Sequence, residues 1–186
     1  MRLILTALAF AVLAQPGFAI VLDGAIVEQG GDGRFVKLDT ETSFDVGQDN
    51  FNTDNLYAFD EGQNILLPAP VRVDIGGGDA GLLPAGTEVA SHYVFFDSIE
   101  GKHLAYVDFD APILGIAAHA DTMGATDFLA NTSVNYIGTE LRGLERGDYV
   151  WVDEDDGSRL WVFWSGWSPG DYIRVFTERS MGALMM

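Results

Sequence analysis

The chain reads GTEVASHYVFFDSIEGKHLAYVDFDAPILGIA over residues 86–117, and this span contains three strand-like segments separated by short turns. Gly86–Asp97 is long and rich in β-branched and aromatic residues, which predicts a strand. On one face of that strand we expect Val89, Ser91, Tyr93 and Phe95. Leu104–Asp110 alternates apolar and polar residues, whereas Ile113–Ala117 is apolar throughout and predicts a strand buried on both sides. The span is typical of a sheet protein.

Gly and Asp punctuate the rest of the chain in the same way, so more short strands are expected. They are predicted at Ser43–Val46, Leu56–Phe59, Asn64–Leu67, Val71–Ile75, Ser133–Ile137, Tyr149–Asp153, Leu160–Trp164 and Asp171–Thr177. One short helix is expected over Met123–Ala130, after Asp121-Thr122 as N-cap, with Met123, Phe128 and Leu129 on its buried side. The pattern predicts an all-β fold, an antiparallel β-sandwich of the jelly-roll kind with one short helix. A closed barrel is the alternative.

Composition excludes several classes of protein. The 186 residues include 28 Asp+Glu and 10 Lys+Arg, giving a net charge of −18, which repels nucleic acid. The chain has 48% hydrophobic residues, too many for a disordered acidic chain. It has no Cys, so disulfides, Cys-ligated metals and a Cys nucleophile are excluded.

Residues 1–19 have the pattern of a secretory signal peptide. Arg2 precedes an apolar run over Leu3–Ala14, Pro16 breaks the helix, and Gly17 and Ala19 provide the small residues that signal peptidase needs. Cleavage after Ala19 leaves residues 20–186 as one domain with a net charge of −19; cleavage after Ala14 is the alternative. The absence of Cys fits a bacterial periplasmic or extracellular protein, and no later segment resembles a membrane span.

The hairpin from Tyr149 to Trp164 has aromatic residues on both of its predicted faces. Asp156-Gly157 predicts a two-residue type I′ turn. That turn would pair Val152 with Trp161 and Val150 with Phe163 on one face. On the other it would pair Trp151 with Val162 and Tyr149 with Trp164. One face must be core, and the other is either buried too or an exposed aromatic platform.

An exposed platform would stack on sugar rings. The residues predicted to bind such a ligand are Tyr149, Trp151, Trp164 and Trp167. The partner this predicts is extracellular polysaccharide or matrix. The alternative is that the aromatic pairs only stabilise the sheet and the core.

A loop rich in Asp and Asn is the best candidate for a metal site. Counted from Asn50, oxygen-bearing residues fall at positions 1, 3, 5 and 12 of an EF-hand-like loop. Asn replaces Asp at position 1 and Gly at position 6, and flanking helices are not expected, so we predict a looser Ca²⁺ cage. Its predicted ligands are Asp49, Asn52, Asp54 and Glu61. An ion-free turn is the alternative; no cofactor is required, and the acidic cluster Asp153–Asp156 is expected to be solvated.

Catalytic motifs are weak in this sequence. The histidines are His92, His103 and His119, and the His119-x-Asp121 pair lacks a third zinc ligand. Neither a G-x-S-x-G elbow nor an H-E-x-x-H motif occurs. Enzyme activity is therefore uncertain and is not the favoured prediction, although a Ser-His-Asp triad assembles in space and leaves no local motif.

Six segments together resemble a known group of proteins: DNFNTDNLYAFDE (49–61), PAGTEVASHYVFFD (84–97), AYVDFDAPILG (105–115), TDFLAN (126–131), LRGLE (141–145) and SPGDYIRV (168–175). They look like a group of uncharacterised secreted bacterial β-sandwich proteins that often carry a PEP-CTERM-type sorting tail. The resemblance implies an exported β protein and no specific activity. The tail is not found in this chain, which predicts a released protein or a truncated family member.

Taken together, the sequence predicts an exported, non-enzymatic β-sandwich protein that binds extracellular polysaccharide or matrix and is compatible with stabilisation by Ca²⁺. One alternative is a secreted hydrolase with a His/carboxylate site. The other is a structural surface or matrix component without a small ligand.

Overall fold

The structure is a computed structural model that describes residues 18–29, 31–98, 100–167 and 169–179. It confirms the predicted all-β, sandwich-like fold with one α-helix. The strands are β1 Val21–Gln29, β2 Phe35–Lys37, β3 Phe44–Val46, β4 Leu56–Leu66, β5 Val71–Arg72, β6 Ile75–Gly76, β7 Leu82–Leu83, β8 Glu88–Phe96, β9 Glu100–Phe109, β10 Ile113–Ala117, β11 Val134–Tyr136, β12 Tyr149–Val152, β13 Arg159–Trp167 and β14 Asp171–Glu178. The helical segments are α1 Ala120–Ala125 and the 3₁₀ turns η1 Gly78–Ala80, η2 Asp127–Leu129 and η3 Thr139–Leu141.

Two larger sheets carry most of the strands. The four-stranded sheet has the order β1-β9-β13-β12, and the six-stranded sheet has the order β2-β4-β8-β14-β10-β6. Neighbouring strands are antiparallel except for β2 and β4. Two small pairs, β3 with β11 and β5 with β7, lie outside these sheets.

The chain crosses between the two sheets over residues 86–117. β8 belongs to the six-stranded sheet, β9 to the four-stranded sheet and β10 to the six-stranded sheet again. Successive side chains of a strand point to opposite faces of the sheet. Yet β8 is buried on both faces, from Val89 through Phe96, so the six-stranded sheet must be covered on both sides.

Two hydrophobic cores provide this cover. The inner core lies between the sheets and includes Phe96, Phe109, Trp164 and Ile173. The outer core lies on the other face of the six-stranded sheet, where Phe59, Tyr93, Phe95, Tyr172 and Phe176 pack against Val46, Met123, Leu129 and Val134. We call the elements that supply this cover the outer layer: β3, β5, β7, β11, α1 and η2.

The predicted helix is present but shorter and earlier than expected. It begins after His119 as N-cap rather than after Asp121-Thr122, and its last turn changes to the 3₁₀ turn η2. The Thr126 hydroxyl donates to the carbonyl oxygens of Thr122 and Met123, which ends the α-helical pattern. Met123 and Leu129 are buried as predicted, whereas the Phe128 side chain is exposed.

A buried ion pair joins the outer layer to the six-stranded sheet. Arg174 in β14 donates to both carboxylate oxygens of Glu61 in β4, at 2.7 and 3.0 Å. Its other terminal nitrogen donates to the Met123 carbonyl and the Thr126 hydroxyl. The Glu61 carboxylate also accepts from Ser91 and Tyr136. These oxygens and nitrogens come from five separate segments, namely β4, β8, β11, β14 and α1 with its C-cap, so the network fixes the outer layer in place.

The amino-terminal prediction lies largely outside the described residues, because the structure describes only Phe18 and Ala19 of residues 1–19. Ala19 is buried, and the Ile20 N–H donates to Asp110 at 2.7 Å. Within the described ranges, no helix is long and apolar enough to cross a membrane.

Candidate functional site

The hairpin formed by β12 and β13 has a register one residue away from the predicted one. Tyr149 pairs with Phe163, Val150 with Val162, and Trp151 with Trp161. The prediction of a two-residue Asp156-Gly157 turn was therefore wrong. A shift of one residue changes every cross-strand neighbour. In the observed register Tyr149, Trp151, Trp161 and Phe163 therefore share one face, away from the core.

Acidic side chains explain the longer turn. The Asp153 N–H donates to the Arg159 carbonyl, which places residues 154–158 in the loop. The Asp153 carboxylate accepts from the N–H groups of Asp155 and Asp156, and the Asp156 carboxylate accepts from the N–H and hydroxyl of Ser158. These local hydrogen bonds satisfy backbone donors that a two-residue turn would have paired differently.

The outer face of the four-stranded sheet carries aromatic rings from three adjacent strands. We call Tyr106, Tyr149, Trp151, Trp161 and Phe163 the aromatic face. The Trp151 and Trp161 rings are nearly parallel, 9° apart, with centroids separated by 6.0 Å. Trp161 lies 5.4 Å from Tyr106, and Tyr149 lies 6.2 Å from Phe163. The rings form two rows across the strands.

Charged groups hold several of these rings. The Arg159 guanidinium donates to both Asp108 oxygens, at 2.7 and 2.9 Å, and lies 4.2 Å from the Tyr106 ring centroid. The Trp161 indole N–H donates to Asp153 at 2.7 Å, and this hydrogen bond lowers the pKa of Asp153. At the other row, Lys102 Nζ lies 4.7 Å from the Phe163 centroid. The aromatic face is thus ordered before any ligand binds.

Two of the four predicted ligand-binding residues lie on this face. The exposed fraction is 62% for Tyr149 and 39% for Trp151. Trp164 is a correction, because its ring is buried in the inner core and does not reach the surface. Trp167 is the last residue of β13, and its side chain lies outside the described part of the chain.

Sequence reasoning missed the central members of the face. A two-residue turn places Trp161 and Phe163 on the opposite face of the hairpin from Trp151 and Tyr149, whereas the observed register pairs them on the same face. Tyr106 alternates with buried Ala105 and Val107, and that alternation was a signal that it points outward. Its position beside Trp161 depends on the β9–β13 register, which no local pattern encodes.

The structure does not bring the four predicted metal ligands together. The loop before β4 wraps around Asp97, whose carboxylate accepts from the N–H groups of Asp49 and Phe51 at 3.1 and 2.9 Å. Glu61 instead lies beside Ser91 in β8. Ser91 is six residues before Asp97, so about 20 Å of extended strand separates Glu61 from this loop. Its carboxylate is committed to Arg174, so it is not available to this loop.

The remaining loop residues have other partners. Asp54 accepts from the Ser98 hydroxyl at 2.9 Å, and the Asn52 amide donates to the Asp49 carbonyl at 2.8 Å. Asp49 and Asn52 both have positive φ, as Asp and Asn in turns do. Among the residues that the structure describes, no group of three or more His, Asp or Glu side chains is placed to hold a metal ion.

His92 lies between a carboxylate and a hydroxyl. Its Nδ1 is 2.8 Å from Asp60 Oδ1, and its Nε2 is 2.9 Å from Thr177 Oγ1. This is the order of acid, base and nucleophile in a hydrolase triad. However, His92 and Thr177 are both fully buried, so a substrate cannot reach the hydroxyl. Lys37 and the Val21 N–H also contact Asp60, which indicates a structural network.

The other two histidines are not in triad-like arrangements. His103 is buried between Phe96 and Trp164, and burial lowers its pKa to about 4. His119 is exposed, precedes α1 and borders a shallow cavity of about 310 Å³ that Arg142 and Glu145 also line.

Comparison of the chain with family models, curated proteins and solved structures finds no match.

Proposed function

We propose that this chain is an exported, non-enzymatic β-sandwich protein that binds extracellular polysaccharide through its aromatic face. Export is inferred from the signal-peptide pattern of residues 1–19. The observation that carries the binding proposal is the two rows of surface rings on β9, β12 and β13.

The chemistry of the face suits sugar rings. Monomeric proteins seldom leave a contiguous set of aromatic side chains in water without using it. Sugar rings present apolar C–H groups that pack on the flat faces of Trp and Tyr, while hydroxyls at their edges hydrogen-bond to polar groups. The aromatic face offers the exposed rings of Trp151 and Tyr149. Polar groups lie at its other rings: the Arg159–Asp108 pair at Tyr106, and Asp153 at Trp161.

The shape of the face also favours a chain over a small molecule. The rings extend across three adjacent strands rather than lining a closed cavity, which is where small ligands are usually buried. A flat row of rings contacts successive units of an extended polymer. The net charge of −18 argues against an anionic polymer, so we expect a neutral polysaccharide.

Binding to neutral polysaccharides tests the proposal. The wild-type chain should be retained by at least one of cellulose, chitin, xylan or a soluble β-glucan in pull-down and affinity electrophoresis. Trp151→Ala and Trp161→Ala should each weaken retention at least about tenfold, because each removes a stacking surface whose burial contributes about 1.5–3 kcal/mol.

Phe128→Ala is the matched control, since Phe128 is 55% exposed but lies in the outer layer. It should bind like the wild type. Equal binding by all four chains, or no retention on any polymer, would contradict the proposal. Dimerisation that Trp151→Ala abolishes would also overturn it, because the face would then be an interface between copies.

A further inference from the structure

The first two residues after the predicted cleavage point are held by side chains from three other parts of the chain. The Ile20 N–H donates to Asp110 Oδ1 at 2.7 Å, and the Ile20 carbonyl accepts from the Asp110 N–H at 3.1 Å. The Val21 N–H donates to Asp60 Oδ1 at 2.8 Å, and the Val21 carbonyl accepts from Lys37 Nζ at 2.6 Å. Each main-chain polar group of this dipeptide therefore has a partner.

The residue before this dipeptide fills a small apolar space. Ala19 is fully buried and forms a cluster with Ala90 and Ala111. Proteolysis requires that the segment to be cut is exposed, so a peptidase cannot reach the Ala19–Ile20 bond once β1 is in place. Cleavage at this bond must therefore precede the docking of β1.

We propose that Asp110 is the acceptor for the amino terminus of the processed chain, and that the α-ammonium of Ile20 forms an ion pair with its carboxylate. Hydrolysis of the Ala19–Ile20 bond consumes one water molecule. The Ala19 carbonyl carbon takes the hydroxyl, and the Ile20 nitrogen takes the remaining hydrogen together with the proton that the new carboxyl group releases. The amide donor that Asp110 contacts at 2.7 Å thus becomes a cation, and a charge-assisted hydrogen bond is stronger than a neutral one.

The charges around this position favour the protonated amine. Asp110 accepts from the Ile20 nitrogen itself, and Asp60 accepts from the next N–H along the chain. Lys37 is positive, but its Nζ is paired with Asp60 at 3.0 Å. His92 is fully buried, and its Nδ1 contacts Asp60 at 2.8 Å. The pKa of the Ile20 amine should therefore lie above its ordinary range of about 7.7–8.0.

The inference rests on the proposed export only for the cleavage after Ala19, and it does not involve the aromatic face. Every described strand and helix follows Ile20, so residues 20–186 contain the whole described fold. This chain can be made without export, from a fusion cut by a protease that leaves no residue behind. Its polysaccharide binding is measured separately, so the failure of one proposal is distinguishable from the failure of the other.

Competitive acetylation of this chain tests the ion pair. Its amines are the α-amine of Ile20 and the side chains of Lys37 and Lys102. Short pulses of acetic anhydride at a series of pH values, read by peptide mass spectrometry, give the titration curve of each amine. The Ile20 amine should titrate above about 7.7–8.0 in the wild type and within that range in Asp110→Asn.

Asp23→Asn is the matched control. It removes a carboxylate from β1 itself, but that carboxylate accepts from the Gly24 N–H rather than from Ile20. The Ile20 amine of this variant should titrate as in the wild type.

Thermal unfolding gives a second readout. Between pH ~5 and ~7.7 the chain with a free amine should melt about 2 °C higher than the same chain acetylated at Ile20, which keeps the N–H donor but lacks the charge. Because the folded state holds the proton more tightly, this difference should disappear as pH rises through the raised pKa. Asp110→Asn should show no difference between its free and acetylated forms.

Three results with the purified chain would overturn the proposal. They are an ordinary pKa of the Ile20 amine in the wild type, a raised pKa that persists in Asp110→Asn, and equal Tm values of the free and acetylated chains near pH ~6. Mass spectrometry of the protein exported from the full chain is the fourth test, and a first residue other than Ile20 would also contradict it.

Discussion

Buried polar side chains in this fold differ in how many of their hydrogen-bonding groups have a partner. Arg174 and Glu61 have a nearly complete set of partners. His103 packs between Phe96 and Trp164, and its Nε2 has no hydrogen-bond partner among the described residues. The low pKa of His103 means that this ring is neutral in the folded protein under most conditions.

His103 should make the fold sensitive to acid. Its pKa is about 4 in the folded protein and 6.5 in a model peptide, so the unfolded chain binds a proton that the folded chain excludes. The free energy of unfolding is therefore unaffected by His103 above pH ~6.5 and falls as pH drops toward 4, by up to about 3 kcal/mol. Urea unfolding at several pH values measures this loss.

The carboxylates also titrate in this pH range and change the stability of every variant. The informative quantity is therefore the difference in free energy of unfolding between wild type and His103→Gln. That difference should change with pH between about 6.5 and 4, while His119→Gln, at an exposed histidine, should track the wild type. Parallel pH profiles for wild type and His103→Gln would show that His103 is not buried as a neutral ring.

At the scale of elements, the sequence predicted most strands because each is a local pattern. Residues 86–117 gave β8, β9 and β10, and SPGDYIRV gave β14. The β12–β13 register could not be obtained in this way, since the turn signal of Asp156-Gly157 competes with the capping carboxylate of Asp153. The two turns give pairing registers that differ by one residue. Only the observed register puts the aromatic residues of both strands on the same outward face.

The same hairpin gives a test of its turn. Gly157 does not adopt positive φ, and a Cβ added there meets no atom within 4 Å. Gly157→Ala should therefore be neutral or stabilise by up to about 1 kcal/mol, since it restricts the unfolded chain. A two-residue type I′ turn would instead require glycine at this position.

Gly143→Ala is the contrasting variant. Gly143 has φ +106°, and an added Cβ would lie 2.9 Å from the Ala118 carbonyl oxygen. It should lose about 2 kcal/mol or more in chemical denaturation. A loss above about 1 kcal/mol in Gly157→Ala would show that the tighter turn forms in solution.

At the scale of the whole molecule, the fold has three levels: the four-stranded sheet, the six-stranded sheet and the outer layer. Their arrangement was the part least accessible to sequence reasoning. Glu61 was assigned to a metal loop because of its spacing from Asn50, yet its partner Arg174 lies 113 residues further along the chain. Pairings over such separations depend on topology and leave no local pattern.

Loss of Arg174 should weaken the attachment of the outer layer. Arg174→Met leaves Glu61 buried without its cation, and the free energy of unfolding should fall by about 3–5 kcal/mol. Arg159→Met removes the partly exposed pair with Asp108 and should cost at most about 1 kcal/mol. Chemical denaturation compares the two, and similar small losses would show that the Arg174 network does not anchor the layer.

The cover on both faces of the six-stranded sheet determines where this protein can change over evolutionary time. Substitutions in that sheet disturb packing on two sides, so selection for foldability restricts them. The outward aromatic residues of β9, β12 and β13 pack against one another and against partly exposed charged groups. We therefore expect their exchange to cost less folding free energy than a substitution in β8. Related chains with the same framework can therefore acquire different ligand preferences by resurfacing a single sheet, and a designer could use that sheet in the same way.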